Sequence, residues 1–260
     1  LKRLLDMQYE IGDMLREKDY RAHGMLSFLL DASRDMLVSL AETEPGDTRV
    51  PDVIQQAIDR EFGRVESPCA DLALDRLVET HLAVLKPRFA HRDIRLDLRL
   101  EPVAAVLVPA EVMEKIIEGL VKNAIENTPD EGRVEVTVKN KKAGVEFLVQ
   151  DAGIGIVEEH RKRIFEGFFP TQETNKYSSK KPYDFNAGGK GADLLRLKIF
   201  SERYNFKLDM SSEKCRHIPL SSDECPGQIS LCHFCHDTED CNTCGGTSFK
   251  AVFQAYNSKT

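Results

Sequence analysis

The sequence predicts a two-layer α+β sandwich with a mixed sheet, preceded by an all-α helical hairpin. Apolar residues repeat every seven positions near the start of the chain, at Leu15, Ala22, Leu29 and Met36. This is the period of a helix packed against a partner helix. After residue 67, short segments alternate apolar with polar residues, as half-buried strands do. Helices lie between these segments and one strand pair is hairpin-linked, which favours an α+β arrangement over a doubly wound one.

The first 67 residues form the predicted hairpin. Pro45-Gly46-Asp47-Thr48 interrupts the first helix, and a shorter apolar stripe follows over 53–65. Two helices joined by a tight turn form an antiparallel hairpin, and two hairpins make a four-helix bundle. We therefore expect residues 1–67 to dimerise, and residues 68–260 to form a second domain. The alternative for the first helix is an ordinary amphipathic helix folded onto its own domain.

The second domain mixes helical and strand patterns in a definite order. Helices are predicted over 77–85, 111–127, 157–165 and 192–204. Strands are predicted over 94–100, 134–138, 145–149, 206–210 and 249–253. The second and third strands flank the turn 140–144, which predicts that they pair as a hairpin.

Composition excludes several classes of protein. The chain has 260 residues, with 36 basic and 43 acidic side chains and a net charge of −7. No basic excess exists to neutralise phosphates, which argues against a nucleic-acid binder. No apolar run is long enough for a membrane span. The chain begins at Leu1 without a signal-type stretch, so we expect a cytoplasmic piece of a longer polypeptide.

Three segments carry residues suited to binding a nucleotide. Asn123 and Asn127 lie near the end of a predicted helix, and asparagine oxygens suit Mg²⁺. Asp151-Ala152-Gly153-Ile154-Gly155 follows a predicted strand, where an aspartate can accept a hydrogen bond from an amine and glycines let a flat base approach. Gly188-Gly189-Lys190-Gly191 opens the next helix, whose free N–H groups favour phosphates.

In this order the segments resemble the catalytic, ATP-binding domain of sensor histidine kinases, over about two-thirds of the chain. That domain has the Bergerat ATPase fold shared with DNA gyrase. Asn123-Ala124 resembles the asparagine box, 151–155 the first glycine box and 189–191 the second. Phe165-Glu166-Gly167-Phe168-Phe169 resembles the phenylalanine box, and Gly245-Gly246-Thr247 resembles the final glycine turn. Several ordered motifs are more specific than any one of them.

The resemblance implies roles for individual residues. Asp151 binds the adenine amine, Gly153 and Gly155 line the base pocket, and Asn123, with Asn127 one helical turn further, ligates Mg²⁺. The other implied ATP contacts belong to the lid and the second glycine box, and they are Phe168, Gly189, Lys190 and Gly191. The implied lid consists of Phe168, Phe169 and the stretch 170–187, whose lysines (Lys176, Lys180 and Lys181) are either phosphate contacts or solvated residues.

The chain also departs from the pattern of the family. Gly119 stands four residues before Asn123, where the family usually has another asparagine, and Asp193 stands where it usually has a glycine. A carboxylate beside a triphosphate is repulsive unless a metal or Lys190 offsets it. These changes question Mg²⁺ geometry and turnover more than adenine binding.

The hairpin is then the expected dimerisation and phosphoacceptor region. His23 is the only histidine before His81, and it lies beside the helix seam. Kinases of this family usually place an acidic residue next, whereas this chain has Gly24. His23 is therefore the candidate acceptor, with a surface histidine of no role as the alternative.

A cysteine-rich insert, residues 215–244, separates the last two predicted strands. Two Cys-x-x-Cys pairs, Cys232 with Cys235 and Cys241 with Cys244, have the spacing of a Zn²⁺ or iron–sulfur site. Cys215 and Cys225 are alternate ligands. Redox-active thiols, a disulfide-stapled loop and inert thiols are the other readings.

These features predict an ATP- and Mg²⁺-dependent histidine kinase that forms a homodimer and passes its phosphoryl group to a response regulator. A different class of protein is the alternative, an ATP-binding regulatory module that signals by conformation without phosphorylating histidine. A third hypothesis makes the insert a metal or redox sensor.

Overall fold

The structure is a computed structural model, and the part of the chain it describes is residues 70–142, 144–166, 181–187, 192–218 and 223–256. The predicted hairpin of residues 1–67, its dimer and the candidate acceptor His23 lie outside these ranges.

Five α-helices and seven strands are present in the described residues. Helices α1 to α5 span Leu74–Leu85, Ala110–Asn127, Glu158–Arg161, Ala192–Arg203 and Thr238–Asn242. Strands β1 to β7 span Ala70–Leu72, Arg95–Leu100, Val106–Val108, Arg133–Lys141, Gly144–Asp151, Lys207–Glu213 and Gly246–Phe253.

The main sheet has five strands in the order β2-β4-β5-β7-β6. Strands β2 and β4 are parallel, and the other neighbours are antiparallel. This confirms the predicted mixed sheet and the hairpin of the second and third predicted strands. A separate antiparallel pair, β1 with β3, was not predicted, because three residues are too few to show an alternating pattern.

Helices α1 and α2 cover one face of this sheet. Val138, Phe147 and Ala251 form a cross-strand row on β4, β5 and β7, and all three are fully buried. Helix α2 buries apolar residues at helical spacing and contacts β5 and α4, whereas α1 contacts β4. Such side chains each contribute about 1.5–3 kcal/mol by leaving water. The two-layer α+β architecture is therefore confirmed.

The fold brings three element ends together. Strand β5 ends at Asp151, β7 begins opposite it, with Thr247 paired to Asp151, and the turn after β5 contacts the end of α2. The prediction of a helix over 157–165 was wrong beyond Arg161, since α3 has one turn and gives way to turns that still bury Ile164.

Candidate functional site

Asp151 is a partly buried acid at the end of β5. Its Oδ1 atom accepts hydrogen bonds from the backbone N–H of Gly153, at 3.0 Å, and from that of Thr247, at 3.1 Å. Burial raises the pKa of Asp151 to about 7, against the lowering effect of these two donors. The carboxyl group is thus partly desolvated, and its pKa lies close to neutral pH. An acceptor of this kind suits a ligand amine.

The glycines after Asp151 are required by close packing of the protein itself. A Cβ atom on Gly153 would lie 2.3 Å from the carbonyl oxygen of Asn127. Gly155 has a φ of +65°, and a Cβ there would lie 1.7 Å from the carbonyl oxygen of Glu213. These positions leave no room for a side chain, whatever binds nearby. That these glycines also line a base pocket stays a prediction.

Asn123 and Asn127 lie one turn apart near the end of α2, as predicted. The Asn127 side-chain amide donates to the Asn123 carbonyl oxygen at 2.7 Å, and the Asn127 carbonyl oxygen accepts from Ile154 N–H at 3.1 Å. Asn123 Nδ2 is buried, and among the described residues it has no hydrogen-bond partner. A buried amide is normally satisfied. The oxygen chemistry of this asparagine and its orphaned amide fit a site completed by Mg²⁺ and phosphate.

The end of α2 is held by a residue that sequence reasoning missed. The Arg92 guanidinium donates to the carbonyl oxygens of Ile125, Thr128 and Tyr183 at 2.6–3.1 Å, and it pairs with Asp130 at 2.8 Å. Its side chain is 4% exposed. A lone arginine in a turn carries no sequence signal, because its partners are backbone atoms far along the chain.

Glu126 attaches the described residues 183–186, which belong to the predicted lid segment, to α2. Its Oε1 atom accepts from Tyr183 N–H at 3.0 Å, and its carbonyl oxygen accepts from Asn186 N–H at 2.6 Å. Burial raises the pKa of Glu126. No sequence pattern indicates this role either, since a glutamate on a helix is usually solvated.

Asp193, at the start of α4, has two cationic neighbours. Its carboxylate lies 3.4 Å from Lys122 Nζ and 2.5 Å from Arg196 Nη2. The repulsion expected between this carboxylate and a triphosphate is therefore offset by Lys122 and Arg196, a pairing that the sequence analysis did not foresee. A Cβ on Gly119 would meet Asp193 Cβ at an ordinary contact distance of 3.7 Å.

The structure thus brings together five of the predicted ATP-site residues, namely Asn123, Asn127, Asp151, Gly153 and Gly155. The remaining predicted contacts lie outside the described residues, and they are Phe168, Gly189, Lys190 and Gly191.

The predicted metal centre of the Cys-rich insert is not supported. In the ranges that the structure describes, which include all four predicted ligands, no group of three or more His, Cys, Asp or Glu side chains is arranged to hold a metal ion. The physical reason is that the thiols contact one another in series. Cys215 lies 3.0 Å from Cys244, Cys244 contacts Cys241, Cys241 contacts Cys235, and Cys235 contacts Cys232, so no three of these side chains converge on one point.

Comparison with known proteins places this geometry in a family. Residues 110–230 match the family described as histidine kinase-, DNA gyrase B-, and HSP90-like ATPase. The chain is 25% identical over 159 residues to the phosphate regulon sensor protein PhoR of Pseudomonas aeruginosa, which covers 61% of this chain and 34% of PhoR. It is 26% identical over 197 residues to the adaptive-response sensory kinase SasA of Gloeothece citriformis, which covers 65% of this chain and 50% of SasA.

A solved structure agrees on the fold. The mycobacterial sensor histidine kinase MprB superposes with a TM-score of 0.50 at 18% identity, over 71% of this chain and 97% of that one. Residues 110–230 therefore match an ATPase domain of the histidine kinase-, DNA gyrase B-, and HSP90-like family, and the chain is homologous to sensor histidine kinases over part of its length. The predicted resemblance is confirmed.

The chain is shorter than its relatives, and its described helices can be compared with membrane-spanning ones. It spans no more than half the length of the curated relatives named above. Among the described residues, none of the helices has the length and apolar character needed to cross a bilayer.

Proposed function

We propose that the chain is the ATP-dependent kinase portion of a cytoplasmic sensor histidine kinase. It binds Mg-ATP at the ends of α2 and β5, phosphorylates a histidine in a homodimer, and passes the phosphoryl group to a response regulator. The observation that carries the proposal is Asp151, a partly buried acceptor fixed by two backbone donors at the position of the first glycine box. His23, in residues 1–67, is the proposed acceptor.

The residues of the site have different proposed roles in binding and positioning. Asp151 accepts the adenine amine, while Asn123 and Asn127 hold Mg²⁺ through side-chain oxygens. Mg²⁺ held there would supply charge neutralisation at the phosphates. Arg92 and Glu126 keep the end of α2 and the segment 181–187 in place. Phosphoryl transfer of this kind needs positioning and charge neutralisation rather than a further protein nucleophile.

ATP titration of the 260-residue chain tests the nucleotide site. Replacing Asp151 with alanine is expected to weaken ATP binding about 10- to 100-fold, because the hydrogen bond from the adenine amine to a partly desolvated carboxylate is lost. Asp209→Ala is the matched control, since Asp209 is 64% exposed and pairs with Lys250 on the sheet edge. Equal ATP affinity for wild type and Asp151→Ala would reject the site.

Transfer of radiolabel from γ-labelled ATP tests the kinase step separately. Wild type is expected to acquire acid-labile phosphate, and His23→Gln is expected to lose it. Label that persists in His23→Gln would reject His23 as the acceptor.

Two observations favour a second function. Asp193 forms ion pairs with both Lys122 and Arg196, and α2 carries Gly119 where the family usually has an asparagine. These features suit a regulatory module that binds ATP and signals by conformation. ATP binding without any phosphohistidine would favour this module over the kinase.

A further inference from the structure

Two thiols face each other at the base of the Cys-rich insert. Strands β6 and β7 end their pairing at Glu213 and Gly246, and continuing that register places Cys215 opposite Cys244. Both cysteines are buried free thiols, and their Sγ atoms are 3.0 Å apart. The insert leaves the sheet and returns to it at this pair.

The backbone here already suits a covalent link. Residues directly opposite on antiparallel strands have Cα separations of about 4.5–5.5 Å, which a disulfide can span. Arg216 N–H donates to the Cys244 carbonyl oxygen at 3.1 Å and holds the two segments together beyond the last strand pair. The sulfurs need to approach by about 1 Å to reach a bonding distance of about 2.0 Å.

The pair also adjoins the candidate nucleotide site. Cys215 N–H donates to the carbonyl oxygen of Ile154, in the first glycine box, at 2.9 Å. On the other segment, a Cβ on Gly245 would lie 2.6 Å from the Cys215 nitrogen, so the two backbones touch. Three residues after Cys244, Thr247 N–H donates to Asp151. A disulfide between Cys215 and Cys244 would therefore join the two ends of the insert beside Asp151.

We propose that Cys215 and Cys244 are a redox modification site that forms a reversible disulfide and fastens the Cys-rich insert to the sheet. The oxidant is a low-molecular-weight disulfide. One cysteine thiolate attacks it, forms a mixed disulfide and releases one small thiol. The second cysteine thiolate then displaces the other small thiol. The two cysteines lose two electrons and two protons in total, and the small disulfide becomes two thiols.

Burial affects the rate of this exchange. The hydrogen bond with Cys244 and burial both raise the pKa of Cys215. The thiolate is the nucleophile, so the pair reacts slowly near neutral pH and exposure to oxidant extends over hours.

Thiol mapping of the 260-residue chain tests the proposal. The protein is incubated with oxidised glutathione, its remaining thiols are alkylated, and its peptides are analysed by mass spectrometry. Wild type is expected to yield a linked peptide pair containing Cys215 and Cys244, which a reductant separates. Cys215→Ser is expected to lose this product, and Cys225→Ser, outside the pair, is expected to keep it.

Thermal unfolding tests the fastening. Closing the loop 216–243 is expected to raise the Tm of oxidised wild type by about 10 °C over the reduced protein, with no rise in Cys215→Ser. The proposal is overturned if Cys215 and Cys244 stay fully alkylatable, if oxidation links only Cys232 to Cys235, or if the linked protein shows no rise in Tm. Stoichiometric metal on both thiols in the purified protein would overturn it as well. Each of these results leaves the proposed ATP site untouched, because ATP titration is measured separately on reduced protein.

Discussion

Asp151 and Asp193 both belong to segments that carry nucleotide-binding motifs, but different forces hold them. Asp151 is partly buried and accepts from backbone N–H groups of Gly153 and Thr247. Asp193 is partly exposed, at 22%, and lies between the cations of Lys122 and Arg196. The two carboxyl groups therefore differ in how much uncompensated negative charge they can offer to a ligand.

The difference shows which of the two carboxyl groups can contribute free energy to ligand binding. Backbone donors orient Asp151 without supplying a full opposite charge, so burial raises its pKa to about 7 and a ligand donor gains a strong partner. At Asp193 the charge is already compensated by side chains. The glycines follow the same division, since Gly155 is enclosed by backbone whereas Gly119 faces a side chain across a normal contact.

The largest expected effect comes from adding one methyl group on the Asp151 side. Gly155→Ala is expected to lower the free energy of unfolding by about 4 kcal/mol, because a positive φ adds strain and the new Cβ overlaps backbone at Glu213. Urea denaturation of both proteins measures the difference.

The matched variant is Gly119→Ala on the Asp193 side. It is expected to raise the free energy of unfolding by about 1 kcal/mol, because alanine favours the helix interior and its Cβ has room. Similar losses in the two alanine variants would break the comparison.

A pH series sharpens the contrast at Asp151 itself. Between about pH 4 and pH 7 the folded protein binds more protons at this carboxyl than the unfolded chain does, so its contribution to stability is lost as the pH rises. Asp151→Asn keeps an acceptor oxygen without the charge. Relative to wild type, it is expected to gain up to about 4 kcal/mol on going from pH 4 to pH 8.

Urea denaturation of wild type and Asp151→Asn at both pH values measures this gain, with Asp209→Asn as the exposed control. A stability difference between wild type and Asp151→Asn that stays constant with pH would show that the pKa of Asp151 is not raised in the folded protein.

The smallest effect is expected at Asp193. Asp193→Asn removes one charge from partly exposed ion pairs, which are worth at most about 1 kcal/mol. The expected loss in the free energy of unfolding is therefore below about 1 kcal/mol by urea denaturation. A loss of several kcal/mol would mean that this carboxylate supports the fold as strongly as the packing around Gly155 does.

Much of the fold could be predicted because it depends on local patterns. The alternation over 134–138 and 145–149 marks strands whose apolar faces are buried, and the structure confirms both. Candidate site residues could be named from the sequence where a motif is contiguous, as at Asp151 and Gly153, and their role in binding stays a prediction. Arg92 and Glu126 were missed because their partners are backbone groups in distant segments. The metal prediction was not supported because spacing along the chain does not state which thiols meet.

The sequence by itself determined the α+β class, the order of its elements and the motifs of an ATPase domain, since periodicity and contiguous motifs are properties of neighbours along the chain. Only the tertiary structure decided that Asp151 lies between two backbone donors, that Asp193 is charge-compensated, and that Cys215 faces Cys244. These are distances between segments far apart in sequence. They follow from strand register and packing, which no local pattern encodes.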